Sequence, residues 1–257
     1  MSPPLLSRFR RSLFSRKRES SAAPAFAPSD LPNLFAWYDA NTDTVVADDT
    51  ILTGWTDRSS NGRNMIDGVA VNANFKGPRY KTSIFGSKPA LKGWGSNGAA
   101  RSFLRYNATF PDSATVYMVI QTDSSTAAQV GIMGTSASGN DPSFTGPYFL
   151  LQDNNGTART LDNVTFRDVL ALSRSTKYII RIAWERVGDT QKVYVNGSLS
   201  LDSIIADSGS RAWYEIFSGY QGVFQGYIAE VAISSVVDNG SNQTKMETYL
   251  KDKWGVY

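Results

Sequence analysis

The chain has 257 residues, 41% of them hydrophobic and 12% aromatic, enough to build one large core or two small ones. Cysteine and histidine are both absent, which excludes disulfides, thiolate or imidazole metal sites, a cysteine nucleophile and every Ser-His-Asp arrangement. Of the charged residues, six basic and two acidic ones lie in residues 1–32, leaving 20 basic and 21 acidic residues elsewhere; a body this close to neutral argues against sequence-specific nucleic-acid binding.

Residues 1–32 read as a basic, Pro/Ala/Ser-rich arm. Leu5, Leu6, Phe9, Leu13 and Phe14 fall near one face of a short amphipathic helix, and the Ala-, Ser- and Pro-rich stretch after it suits an extended tether. Arg8, Phe9, Arg10, Arg11, Phe14, Arg16, Lys17 and Arg18 are the candidate partner-docking residues. A solvated tail and an organelle transit peptide are the rival readings. No apolar run follows the charges as a secretory signal requires, and none is long enough for a membrane span.

Residues 33–257 are expected to form one domain that includes a C-terminal helix. Leu34–Ala40 is the first strand, and Trp55-Thr-Asp-Arg-Ser-Ser-Asn-Gly62 follows. In that segment Asp57 and Ser59 suit side-chain-to-backbone turns, with Trp55 as a core anchor; alternatively, Asp57 and Asn61 are glycan or calcium ligands at a loop rim. Trp94, between Gly93 and Gly95, either stacks on a sugar face or caps the core. The apolar run Thr115–Gln121 predicts a central strand, Val130–Gly134 and Tyr148–Leu151 two more, and the polar stretch 135–146 a binding loop or subunit contact.

The densest strand pattern lies between residues 176 and 237. Tyr178, Ile180, Ile182 and Trp184 share one face, and Asn196-Gly197 is a tight hairpin turn. The run after Phe224 is predicted to alternate Tyr227, Ala229 and Val231 against Ile228, Glu230 and Ala232. After the break at 238–241, Met246, Tyr249, Leu250 and Trp254 form the buried stripe of a helix capped by Ser241 or Asn242.

Several of these motifs together resemble a known family. They are Leu34-Phe-Ala-Trp-Tyr-Asp-Ala40, Trp55 to Asn64, Lys88-Pro-Ala-Leu91, Lys192-Val-Tyr-Val-Asn-Gly197, Gly226-Tyr-Ile-Ala-Glu-Val231 and the closing Tyr249-Leu-Lys-Asp-Lys-Trp-Gly255. Over residues 31–257 the chain is similar to the concanavalin A-like lectin/glucanase (laminin-G-like) jelly-roll domain, in its phage and bacterial branch. The resemblance implies an all-β, antiparallel concanavalin A-like β-sandwich, a fold used by lectins, glycanases, adhesins and virion proteins alike. The family's glycanases carry a Glu-x-Asp-x-x-Glu strand. None of the five glutamates here (Glu19, Glu185, Glu215, Glu230, Glu247) has an acid two residues on, so no enzyme is expected.

Two functions follow as expectations. The first is a virion structural protein of a tailed phage (capsid decoration, head fibre or tail component), assembled in the host cytoplasm, a homo-oligomer such as a trimer, and docked through its arm on capsid or tail subunits. The alternative is a non-catalytic carbohydrate-binding module or adhesin using Trp94, Asp57 and Asn61. No cofactor is expected; calcium is an option that nothing else in the sequence supports.

Overall fold

The computed structural model describes residues 26–41, 46–70, 72–95, 99–123, 130–136, 148–152, 156–162, 165–188, 190–204, 211–217 and 223–257. In chain order the strands are β1 (Leu34–Asp39), β2 (Gly54–Trp55), β3 (Met65–Asp67), β4 (Phe75–Lys76), β5 (Arg79–Phe85), β6 (Lys88–Lys92), β7 (Arg101–Ser102), β8 (Leu104–Asn107) and β9 (Ser113–Gln121). They continue with β10 (Val130–Ser136), β11 (Tyr148–Gln152), β12 (Thr157–Asp162), β13 (Thr165–Ala171), β14 (Lys177–Glu185), β15 (Thr190–Val195), β16 (Ser198–Ile204), β17 (Trp213–Ile216) and β18 (Tyr227–Ser234). One α-helix among the described residues, α1 (Gly240–Trp254), follows.

Two antiparallel sheets pack face to face. The first runs β16-β15-β14-β9-β18-β6-β5, with β1 also paired to β18; the second runs β13-β12-β11-β10-β17-β8-β3-β2. The edge of β18 opposite β9 is shared: Tyr227 and Ile228 pair with β6, and Glu230 to Ser234 pair with β1. Strand β9 is buried at every residue between its two ends, as its unbroken apolar run predicts. The β15–β16 turn is built as expected: Asn196 and Gly197 both take positive φ, 51° and 80°.

The first sheet is buried on both faces, and this defines two cores. Toward the second sheet it presents Tyr38, Val116, Met118, Ile180, Ile182 and Trp184. Toward α1 it presents Tyr117, Val119, Ile179 and Ala232, covered by Met246, Leu250, Trp254 and Val256. The helix stripe is therefore the predicted one, with Tyr249 packed at its margin.

Two expectations require correction. The alternation expected in β18 is interrupted by a bulge: Ile228 lies opposite Ile120 and Glu230 opposite Val119, so Ala229 is an extra residue. Val231 thereby joins Ile228 in the inter-sheet core, while Ala229 lies with Tyr227 and Ala232 in the core under the helix. The helix cap is Asn239, not Ser241 or Asn242: its side chain accepts the Asn242 amide at 3.2 Å. The C-terminal end closes on Gly255 in the left-handed region, φ 60°.

Residues 26–31, assigned by sequence to the end of the arm, pack on the body. Leu31 is buried in the core under α1, and Phe26 meets Tyr249 edge-on at 6.4 Å. The candidate arm residues Arg8, Phe9, Arg10, Arg11, Phe14, Arg16, Lys17 and Arg18 lie outside the described residues.

Candidate functional site

Strand β1 pairs with β18 along one edge, and its other edge is closed by the β2–β3 loop. A bare strand edge leaves amides and carbonyls without partners, so something must satisfy them. Here the loop does so largely with side chains. Asp57 Oδ1 accepts the Trp37 amide at 2.9 Å, and the Arg58 amide donates to the Trp37 carbonyl at 2.6 Å. Asn61 donates its amide nitrogen to the carbonyls of Leu34 and Phe35 at 2.8 and 3.0 Å. Arg63 donates to the Phe35 carbonyl at 2.5 Å, its guanidinium lying over the Phe35 ring.

Asp57 organises the loop from within. Its carboxylate also accepts the amide and hydroxyl of Ser59 at 2.9 and 2.7 Å and the Arg63 amide at 2.8 Å, and the residue is buried. Four donors on one carboxylate make a rigid turn, as the turn chemistry of this segment predicts. Those four donors engage both Asp57 oxygens. Trp55, the expected core anchor, is buried against Tyr38 with ring centroids 5.5 Å apart. Tyr38 donates to or accepts from Tyr214 of the opposite sheet in a short hydrogen bond, and burial pushes both phenols above their ordinary range.

The loop borders two clefts. One, of about 600 Å³, is lined by Arg58, Ser59, Ser60 and Asn61 from the loop, and by Ser29, Leu31, Pro32 and Leu34 from the segment entering β1. The other, of about 340 Å³, lies along β2 and β3 beside Trp55, Thr56 and Asn64. Trp94 is in neither lining. It is half-buried, donates its indole N–H to the Gly77 carbonyl at 2.9 Å and lies under the Arg79 guanidinium at 4.9 Å. The structure therefore gathers Asp57 and Asn61 into one loop and does not place Trp94 in the clefts beside it. Residues 137–146 of the expected binding loop lie outside the described residues, and 135–136 end strand β10.

The sequence shows Glu230 as a solitary strand acid; the fold makes it the centre of a buried network. Its two oxygens accept from Trp37 Nε1 at 2.7 Å, Tyr249 Oη at 3.1 Å, Lys253 Nζ at 2.8 Å and Trp254 Nε1 at 2.5 Å. Lys253 donates also to Asp39 at 2.6 Å. The bulge at Ala229 turns Glu230 toward the helix, and the register sets Asp39 opposite it. Burial raises the Glu230 carboxyl above its ordinary range, while Lys253 pulls against the shift. Asp39 and Glu230 face each other across paired strands, yet they are 1% and 0% exposed and held by one ammonium. Both acids bond to Lys253, so the pair fastens the helix to the sheet. Among the described residues, no group of three or more acids has the spacing to hold a metal ion.

No family model matches the sequence, and no curated protein matches it. Solved structures do match in fold. A sialidase of Trypanosoma rangeli in complex with sialic acid superposes with a TM-score of 0.57 at 11% identity, over 86% of this chain and 33% of that one. The binding domain of botulinum neurotoxin serotype D gives 0.57 at 12% identity, over 84% of this chain and 52% of that one. Botulinum neurotoxin type C, which depends on two ganglioside molecules to get into cells, gives 0.57 at 10% identity, over 85% and 51%. The chain thus spans about a third of the sialidase and about half of the toxin chains. At these identities the likeness is one of fold: an antiparallel β-sandwich, found in an enzyme and in toxin binding domains alike.

Proposed function

We propose that this protein is a non-catalytic carbohydrate-binding module of the concanavalin A-like type, and that the cleft beside the β2–β3 loop is its sugar site. The observation that carries the proposal is a preformed polar cleft of about 600 Å³ whose loop is locked to β1 by Asp57, Asn61 and Arg63. Sugar sites combine rigid hydroxyl and amide groups with small apolar surfaces, and Ser29, Ser59, Ser60 and Asn61 beside Leu31, Pro32 and Leu34 supply both. The toxin neighbours, one of which uses gangliosides, support a glycan ligand for this fold. Asp57 acts in this scheme by holding the loop, and Asn61 by offering its amide oxygen, since its nitrogen is engaged by two carbonyls.

A glycan array with full-length protein tests the proposal, with Ser60→Trp as the blocked form. Ser60 is exposed, so the indole should fill the cleft and abolish binding with an unchanged melting temperature. Binding that survives in Ser60→Trp and is lost in Trp94→Ala would move the site to Trp94.

For a virion role, we propose that the arm is the docking element. Phe26 and Leu31 anchor the chain on the body just after the basic segment, which supports a tether working from a fixed point. A phage-particle setting and a carbohydrate-binding sandwich are compatible. Deleting residues 1–25 should remove particle association and leave sugar binding intact; a truncated protein that still decorates particles would end the docking role of the arm.

A further inference from the structure

We infer that the cleft selects a sugar bearing a carboxylate, with Arg58 as the group that binds it; this rests on reading the cleft as the sugar site. Arg58 is exposed, lies in the cleft lining and forms no salt bridge with any described residue. Five other described arginines pair with acids, Arg79 with Asp49, Arg159 with Asp168, Arg181 with Glu247, and Arg186 and Arg211 with Asp112, and Arg63 in the same loop is engaged by the Phe35 carbonyl. An unpaired guanidinium among hydroxyls is an anion site waiting for its partner, and its planar fork matches a carboxylate bidentately.

Two features prepare Arg58 for that role. Its backbone amide is tied to the Trp37 carbonyl at 2.6 Å, and its guanidinium lies 5.3 Å from the centroid of the Trp37 ring. Trp37 in turn is fixed by its indole N–H on Glu230 at 2.7 Å, so the stacking platform does not swing. Stacking restricts the long side chain before any ligand arrives, which lowers the entropy lost on binding. The adjacent acid does not compete. Asp57 is buried and turns its oxygens to three amides and one hydroxyl, so its charge is taken up inside the loop. The neutral remainder of the lining, Ser29, Ser59, Ser60 and Asn61, suits the hydroxyl and amide groups of the same sugar.

The test is isothermal titration of the full-length protein with 3′-sialyllactose, lactose and inorganic phosphate, repeated on Arg58→Gln and Arg58→Lys. The expected result is that 3′-sialyllactose binds more tightly than lactose and that phosphate does not substitute for it. Arg58→Gln should then weaken 3′-sialyllactose by about ten- to a hundredfold, the worth of one charge-assisted contact. Arg58→Lys should recover part of that loss, and both variants should weaken lactose binding far less than 3′-sialyllactose binding. Equal affinity for the two sugars, unmoved by Arg58→Gln, would overturn the carboxylate inference and leave the carbohydrate module standing. Phosphate binding without 3′-sialyllactose binding would overturn it as well. No binding to any glycan across a broad array would overturn both.

Discussion

Lys253 bridges two carboxylates that water cannot reach. Lys253→Met keeps the packing of the stem and removes the charge, leaving Asp39 and Glu230 to repel each other in the core. Breaking a buried ion pair from one side costs about 3–5 kcal/mol, which chemical denaturation at neutral pH would read directly. The pH dependence has a definite sign. A carboxyl whose folded pKa is raised adds stability below its unfolded value and loses it as pH rises through the folded value. The Glu230 carboxyl is already raised, and without Lys253 it rises further, so the deficit of Lys253→Met should shrink on acidification and grow toward alkaline pH. Asp57→Ala should cost about 3 kcal/mol by stripping partners from several loop donors, and should abolish sugar binding although Asp57 lies behind the cleft. Turn chemistry made Asp57 legible in the sequence. What no local pattern shows is that one of its donors is Trp37, twenty residues earlier. Glu230 was harder still, because its partners Asp39 and Lys253 lie 191 residues before it and 23 after it.

At the scale of elements, the shared face of Tyr178, Ile180, Ile182 and Trp184 located β14, an unbroken apolar run located β9, and Asn196-Gly197 located the hairpin, since each depends on side chains within a few residues. The bulge in β18 was invisible for a plain reason: Tyr227, Ile228, Ala229, Val231, Ala232 and Ile233 are apolar enough for either face. Shifting their alternation by one residue therefore leaves no mark. Deleting Ala229 should restore regular pairing with β9 and leave Glu230 opposite Val119 on the helix side; a soluble, cooperatively unfolding protein with a lowered melting temperature is expected, as circular dichroism and melting would show. The helix ends predict gentler effects. Asn239→Ala removes the cap on the Asn242 amide, and Gly255→Ala strains a residue at φ 60°; each should lower stability by about 1 kcal/mol with the fold intact.

For the whole molecule, an antiparallel sandwich with a covering helix was readable because the longer strands and the helix carry local patterns of apolar residues bounded by turn signals. The order of strands was not, since it is decided by which distant edges meet. The helix matters beyond its length: it covers Tyr117, Val119, Ile179 and Ala232 on the outer face of the first sheet. Removing residues 240–257 would expose that face, and the truncated protein should bind hydrophobic dye and self-associate in light scattering. The cleft was partly readable, through Asp57 and Asn61. Arg58 was not singled out, because a lone arginine gains meaning only once it is seen in a cleft lining, over Trp37 and without an acid partner.

The position of β18 also bears on how the chain is made. This strand sits between β9 and β1, and β1 has no other strand beside it among the described residues. On a ribosome adding about 5–20 residues per second, β1 emerges tens of seconds before the strand it pairs with. During that interval Leu34 to Asp39 has no sheet to join, and the β2–β3 loop that guards its other edge has nothing fixed to guard. Both cores therefore close late and nearly together, so the nascent chain should stay sensitive to protease until β18 is released. Pulse proteolysis of stalled chains ending before and after Ser234 would reveal that step.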